Sequence, residues 1–188
     1  MLPQGRDHFF LAIRPDDSTA ERIGQLASRL RISMGSGRGQ LSNDRLHVTL
    51  HSLGRYIGVP EQMVNAARSA AAAAVTGMPA FQVAFDRAVS FARNADDHPY
   101  VALFDHRDNA ALMKFQWRLG EELDKRHVPR VRHSKFTPHM TLLYSEQNEA
   151  EESVEPVSWT VNEIVLIHSI VGKAIHIRLD YWPLRGQA

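Results

Sequence analysis

A tetrapeptide pattern of histidine, an apolar residue, threonine and an apolar residue occurs twice in this chain, at His47–Leu50 and at His139–Leu142. The two copies lie roughly half of the 188-residue chain apart, each in a segment whose composition predicts a β-strand. One such pattern is common by chance, because short motifs have a high false-positive rate. Two copies with the same alternation predict a fold built from two related lobes.

The alternation of a β-strand fixes what each copy can offer. Successive side chains of a strand point to opposite faces, so His47 and Thr49 share one face while Val48 and Leu50 share the other. The second copy has the same parity. Each motif therefore buries two apolar residues and presents an imidazole and a hydroxyl, about 7 Å apart along the strand. Two such strands facing each other would form a cleft.

The rest of the chain predicts an α+β fold. Predicted elements follow the order strand, helix, strand, helix, two strands, helix and three strands, and no linker rich in Pro, Gly or Ser interrupts them. We therefore expect residues 1–188 to form a single domain. Ser18 and Glu21 fit a capping box for the first helix. The predicted strands are Phe9–Ile13, Leu46–Leu53, Phe81–Phe91, Tyr100–Phe104, His139–Tyr144, Val161–Ser169 and His176–Trp182; the helices begin near Asp16, Pro60 and Asn109, and an acidic loop covers Glu146–Glu155.

Composition excludes several classes of protein. The absence of cysteine excludes disulfides, thiolate zinc sites and cysteine nucleophiles. A formal net charge of +1 excludes the strongly basic surface of a protein that coats long nucleic acid, which favours a short substrate or a chain end. The apolar run Phe9–Ile13 is too short for the core of a signal peptide, and no run is long enough to span a bilayer. We expect a cytoplasmic protein without a membrane contact or an obligatory protein partner.

Two histidines suit the opening of a cyclic phosphate. The reaction needs a base for the attacking water and an acid for the departing ribose oxygen, and imidazole can serve as either near neutral pH. We predict His47 and His139 as catalytic residues, with Thr49 and Thr141 as donors to the non-bridging oxygens. No metal and no cofactor is predicted. His51 shares the strand parity of His47, but no carboxylate lies nearby in sequence, so we expect it to line or support the cleft.

At these motifs the chain resembles the 2H phosphoesterase superfamily, and more closely its bacterial branch known as 2'-5' RNA ligase or RNA 2',3'-cyclic phosphodiesterase. Phe9–Pro15 is similar to the opening strand of that family, Leu46–Gly54 and Phe136–Leu142 to its two motifs, and His176–Leu184 to its closing strand. Departures from the family pattern, at Ser52, Thr137 and Tyr144, concern phosphate contacts and substrate preference.

The resemblance implies a bilobal α+β fold, with two pseudo-symmetric lobes of antiparallel sheet, outer helices and a central cleft. It implies hydrolysis of 2',3'-cyclic phosphate ends of RNA, or of cyclic nucleotides, to 2'-phosphates. Several members also join RNA ends through a 2'-5' linkage without ATP. Within this family His139 is expected to be the base and His47 the acid.

Other residues are candidates for binding the substrate. Arg132 and Lys135, with Arg130 and His133 around them, lie just before the second motif and can hold the phosphates of an RNA end. Aromatic rings can stack on bases of single strands. The candidates for stacking are Phe10, Phe81, Phe91 and Tyr144, and we assign no role to His98, His106, His127, His168 or His176.

Two alternative functions remain open from the sequence. One is an enzyme of the same fold that acts on a cyclic nucleotide, a sugar cyclic phosphate or a 2',5'-linked oligonucleotide. The other is a non-catalytic module that binds RNA ends. Retention of both histidines and both threonines argues against a pure binder, which needs charge and stacking but no titrating pair.

Overall fold

The computed structural model describes residues 6–33, 35, 39–91, 100–104, 109–132, 135–145 and 150–185. Three α-helices and eight β-strands lie within these ranges. The helices are α1 (Asp17–Ser33), α2 (Glu61–Val75) and α3 (Ala110–Lys125). The strands are β1 (Asp7–Ile13), β2 (Val48–Tyr56), β3 (Phe81–Phe91), β4 (Tyr100–Phe104), β5 (His139–Tyr144), β6 (Glu152–Val161), β7 (Glu163–Ile170) and β8 (Ile175–Pro183).

The strands form two four-stranded antiparallel sheets. The first sheet has the order β2-β1-β7-β8 and the second the order β5-β4-β3-β6. Each motif strand thus lies at the edge of its sheet, beside β1 in the first case and β4 in the second. This arrangement confirms the α+β fold with two related lobes that the repeated motif predicts.

A β-bulge marks the same place in both motif strands. Thr49 pairs with Ala12 and Thr141 pairs with Ala102, and in both strands the next residue, Leu50 or Leu142, has no partner in the register. A bulge adds one residue to one strand, so the alternation of faces shifts beyond it. The two lobes therefore share a local irregularity in the motif strand as well as the position of that strand at the edge of its sheet.

The two faces of β1 belong to different environments. Phe9, Leu11 and Ile13 join the main core, which also contains the apolar faces of all three helices. Phe10 and Ala12 point the other way and form a small second cluster with Val165 and Ile167 of β7. The face that carries Phe10 is the one on which the first motif lies, because Thr49 pairs with Ala12.

The helices connect the two sheets. α1 follows β1 of the first sheet but contacts β5 and β6 of the second, whereas α3 contacts both β2 and β3. α2 packs against α3, and most of the buried residues of α2 are alanines, whose small side chains allow a close approach. No helix in the described ranges has the length and apolarity needed to cross a membrane.

The first helix begins differently from the sequence prediction. One face of α1 is apolar and buried, and the capping residue is Asp16 and not Ser18. The Asp16 carboxylate accepts a hydrogen bond from the backbone N–H of Thr19 at 2.9 Å, and the Ser18 hydroxyl donates to the same carboxylate at 2.7 Å. A charged acceptor at the residue before the helix satisfies an unpaired N–H and interacts favourably with the helix dipole.

Strand β6 is absent from the sequence prediction, which placed an acidic loop over Glu146–Glu155. The described part of that segment enters β6 at Glu152, and the strand lies at the edge of the second sheet. Pro156 and two exposed glutamates, Glu152 and Glu155, weaken the strand signal within it. Proline and charge are tolerated in an edge strand because one side of its backbone faces no partner.

Candidate active site

The two motif strands approach each other across the two sheets. β2 and β5 are in contact, and the segment before each motif crosses to the other motif strand. Leu41 donates its backbone N–H to the Leu142 carbonyl at 2.8 Å, and Val131 donates its N–H to the Ser52 carbonyl at 2.8 Å. This exchange of backbone hydrogen bonds holds the two motifs beside each other, with His47 immediately before β2 and His139 at the start of β5.

Both motif histidines are held by the same local hydrogen bond. The Nδ1 atom of His47 lies 2.7 Å from the carbonyl oxygen of Arg45, and Nδ1 of His139 lies 2.8 Å from that of Thr137. A carbonyl oxygen only accepts, so in each ring Nδ1 carries the hydrogen. The neutral tautomer then leaves Nε2 as the basic nitrogen, which is the atom that can take up or release a proton.

Two further rings surround the imidazole of His47. Phe10 of β1 stacks on it, with centroids 4.7 Å apart and an interplanar angle of 27°. His176 of β8 meets it edge-on, with centroids 5.3 Å apart and an angle of 70°. Phe10 and His176 are also in edge contact with each other at 5.6 Å. The orientation of His47 is therefore fixed by two rings and one hydrogen bond.

The same surroundings favour the neutral form of His47. Burial lowers the pKa of His47 to about 4, and the nearby His176, His139 and Arg45 act in the same direction. The hydrogen bond to the Arg45 carbonyl opposes this effect. His139 is thus close enough for its charge to be felt at His47, and without an anion in the cleft His47 is neutral at neutral pH.

The motif threonines lie where the sequence predicts. Thr49 and Thr141 are both partly exposed, whereas the neighbouring Val48, Leu50, Met140 and Leu142 are buried. Thr49 shares its sheet face with Phe10, which stacks on His47. Thr49 therefore lies on the face that carries the ring stacked on His47, and Thr141 lies on the same face as His139, because the pairing of β5 with β4 is regular between these two residues.

His51 does not line the cleft, which corrects the first of the two roles that the sequence allowed for it. The bulge at Leu50 shifts the alternation, so His51 pairs with Leu11 and lies on the helix side of the sheet. It is 4% exposed, and its Nε2 donates to the carbonyl of Gln116 in α3 at 2.9 Å. Gly120 provides the space for this ring, because a Cβ there would lie 3.2 Å from it.

Buried His51 predicts a loss of stability in acid. Burial lowers its pKa from 6.5 to about 4. Between these values the unfolded chain binds a proton that the folded chain does not, so the free energy of unfolding decreases as the pH falls. At 1.36 kcal/mol per pKa unit, the full loss below the folded pKa is on the order of 3 kcal/mol, and no loss is expected above pH 7.

Urea unfolding at a series of pH values checks this prediction. His51→Gln retains an N–H donor for the Gln116 carbonyl but cannot titrate, so its stability should decrease less between pH 6.5 and 4.5 than that of the wild type. Parallel curves for the two proteins would assign the acid sensitivity to other groups.

The predicted basic patch is only partly available to a ligand. Arg130 donates twice to the Asp124 carboxylate, at 2.9 and 3.1 Å, and Arg132 donates to it at 2.8 Å. The side chain of Arg132 is 68% exposed, and Lys135 is also exposed. His133 lies outside the described residues. Binding of substrate by Arg132 and Lys135 stays a prediction.

The aromatic residues predicted as candidates for base stacking lie in different parts of the structure. Phe10 belongs to the site because it contacts His47, whereas Phe81 packs on Phe115 in the main core. Tyr144, at the end of β5, is 43% exposed. The side chain of Phe91 lies outside the described residues.

Sequence reasoning missed the groups that surround His47. It assigned no role to His176 and did not consider Arg14 or Arg45, yet Arg45 supplies the carbonyl for His47 and both arginines act on His176. His176 and Arg178 alternate with apolar residues along β8, and this pattern could have identified them as part of one polar face of the strand. Which residues pack against that face depends on the order of the strands in the sheet, and the alternating pattern of one strand contains no information about that order.

Comparison with known proteins gives the family. The family model of the 2'-5' RNA ligase superfamily matches residues 15–173. Among curated proteins, none matches the chain. Several solved structures share the fold at low sequence identity, so they support the fold alone.

Three of these structures cover nearly the whole chain. Escherichia coli LigT, solved with 3'-AMP, is 23% identical, with 95% of this chain and 97% of LigT covered and a TM-score of 0.70. A protein of Thermus thermophilus is 16% identical, with coverage of 96% and 100% and a TM-score of 0.73. A structure described as a phosphoesterase is 20% identical, with coverage of 95% and 99% and a TM-score of 0.70. With a family match over most of its length and this shared architecture, the chain belongs to the 2'-5' RNA ligase superfamily, a group of 2H phosphoesterases.

Proposed function

We propose that this protein is an RNA 2',3'-cyclic phosphodiesterase that opens terminal cyclic phosphates to 2'-phosphates by acid/base catalysis with His47 and His139. The observation that carries the proposal is the pair of equivalent hydrogen bonds from Nδ1 to a backbone carbonyl, 2.7 Å in one motif and 2.8 Å in the other. They define Nε2 as the proton-exchanging atom of both rings. A group that only binds RNA has no need for two imidazoles in the same fixed tautomer.

The reaction consumes one water and conserves all atoms. His139 accepts a proton from the water as its oxygen bonds to phosphorus, and the bond from phosphorus to the 3' oxygen breaks. His47 gives a proton to that oxygen, which leaves a 3'-hydroxyl and a 2'-phosphate. Thr49 and Thr141 donate to the non-bridging oxygens, where negative charge is held during the displacement.

Nucleotide binding in a structural neighbour is consistent with this proposal. Escherichia coli LigT has been crystallised with phosphate, 3'-AMP, ATP and NADP+. Those ligands share a phosphate group, which is the part of the substrate that the two motifs here would hold. Arg132 and Lys135 would contact further phosphates of an RNA end.

A direct assay tests the proposal. Purified protein is incubated with 2',3'-cyclic nucleotides and with short RNAs that end in a cyclic phosphate, and 2'- and 3'-phosphate products are separated by chromatography. We expect 2'-phosphates from the RNA substrates, and equal rates in excess EDTA because the histidines act as proton carriers. The His47→Ala, His139→Ala double variant is the control for contaminating nucleases.

Other products would select the alternative functions. Turnover of mononucleotides without turnover of RNA would indicate a nucleotide enzyme of the same fold. Binding of RNA ends without any conversion would indicate a non-catalytic module. Loss of activity in EDTA, restored by one divalent ion, would change His47 and His139 from acid and base to metal ligands. An RNA with a free 5'-hydroxyl, added to the same mixture, tests for 2'-5' ligation.

A further inference from the structure

His176 is an imidazole without a hydrogen-bond partner beside the motif histidine. Its ring is edge-on to His47 at 5.3 Å and to Phe10 at 5.6 Å, and it is partly buried. Neither of its ring nitrogens forms a hydrogen bond to the described part of the chain. By contrast, the histidines at 8, 47, 51 and 168 each have a ring nitrogen within 2.9 Å of an acceptor or hydroxyl.

The unpaired imidazole requires an explanation, because packing alone does not need it. An aromatic ring without nitrogen would cover His47 and Phe10 equally well. A partly buried N–H and ring nitrogen that lose water without gaining a partner cost free energy. That cost is removed when a ligand supplies the missing partner.

The charges around His176 identify the kind of ligand. Burial lowers its pKa to about 4, and Arg45 and Arg14 act in the same direction, while Asp44 opposes them. Arg14 donates to the backbone carbonyl of Asp44 at 2.7 Å. Two arginines against one carboxylate leave a positive potential at the ring, which favours an anion.

We propose that His176 is a third substrate-contacting histidine, which donates an N–H hydrogen bond to a non-bridging oxygen of the phosphate held between His47 and His139. This inference rests on the proposed function and adds a contact from β8, outside both motifs. The neutral imidazole already carries the one N–H that the contact needs. The residue binds the phosphate in the ground state and in the transition state alike, so it should act on affinity more than on turnover.

The test measures phosphate binding separately from catalysis. The dissociation constant of inorganic phosphate is determined by calorimetry for the wild type, His176→Phe, His176→Leu and His176→Gln, and KM and kcat are determined with 2',3'-cyclic AMP. His8→Phe is the matched control, because His8 also contacts Phe10, at 5.2 Å, but its Nε2 already pairs with the Ser52 hydroxyl at 2.8 Å.

Loss of one hydrogen bond to a charged group predicts a rise of about 10- to 100-fold in the phosphate dissociation constant and in KM for the Phe and Leu variants. A smaller change is expected in kcat. His176→Gln, which keeps a donor, should recover part of the affinity, and His8→Phe should bind phosphate like the wild type.

Wild-type phosphate affinity and KM in both His176→Phe and His176→Leu would overturn the inference and reduce His176 to a packing residue. The use of two substitutions of different shape means that misfolding of one still leaves a result. If the wild type hydrolyses no cyclic phosphate but the His176 variants still lose phosphate affinity, the proposed function is wrong and the phosphate contact stands.

Discussion

Replacement of either His47 or His139 with Ala is expected to lower turnover of a 2',3'-cyclic phosphate by ~10²- to 10⁴-fold, because each variant removes one complete proton transfer. The double variant should be little worse than the slower single one, since the two histidines act as one unit. Turnover is measured with the same substrate for the wild type, both single variants and the double variant.

The threonine variants provide a graded control. Thr49→Ala and Thr141→Ala should each lose roughly 2 to 4 kcal/mol of transition-state stabilisation, by analogy with the removal of one oxyanion donor. The two histidines and the two threonines are all partly exposed, so thermal unfolding of the four single variants should remain close to that of the wild type.

Near wild-type rates in both histidine variants would exclude the two-histidine mechanism.

A substrate that needs no acid is expected to rescue His47→Ala and not His139→Ala. With a cyclic phosphodiester that releases a phenol, the departing oxygen leaves without protonation, so the variant that lacks the acid should recover much of its loss. The variant that lacks the base still has to activate water and should stay slow. Rates of both variants with the phenolic and the ribose substrate give the comparison directly.

The acid role of His47 requires its protonated form, which is rare in the free protein. With a pKa of about 4, His47 would be protonated in about one molecule in a thousand at pH 7. A phosphate charge about 4 Å away interacts by ~4 kcal/mol at an effective dielectric constant of 20, enough to raise the pKa of a histidine by about three. Binding of the substrate can therefore supply the protonated form that the acid role requires.

The pH dependence of turnover should reflect the interaction between the substrate phosphate and His47. The curve of kcat against pH should be bell-shaped, with its limbs belonging to the coupled pair and not to individual histidines. Its upper limb, which reports the substrate complex, should lie well above the pKa of His47 in the free protein.

In the leaving-group experiment, rescue of His139→Ala in place of His47→Ala would exchange the two roles and make His47 the base, as its low pKa in the free protein would favour.

The extent of correct prediction differs between strands. β3, β4 and β5 have the bounds that the sequence predicts, because each combines an alternating or apolar pattern with the aromatic and β-branched residues that strands prefer. The last predicted strand was a residue short at each end. β6 was missed because an edge strand tolerates Pro156 and exposed glutamates that a central strand would not.

Within the candidate site, the sequence likewise predicts the position of some residues correctly and of others wrongly. The alternation of a strand placed Thr49 with His47 correctly, but the bulge at Leu50 moved His51 to the helix side. A bulge depends on how the strand pairs with β1, so no pattern within Leu46–Leu53 reveals it. The same limit applies to His176, whose neighbours come from β1 and from the residues before β2.

The sequence by itself determined the duplication, the α+β class and the two histidine and threonine pairs, because strand alternation is a local property that acts over two to four residues. Tertiary structure decided which side chains gather around those histidines. Strand order brings Phe10 and His176 onto His47, and the crossing segments before each motif bring β2 and β5 together. These contacts join residues that are distant in the chain, so their free energy depends on the assembled sheets and leaves no local pattern in the sequence.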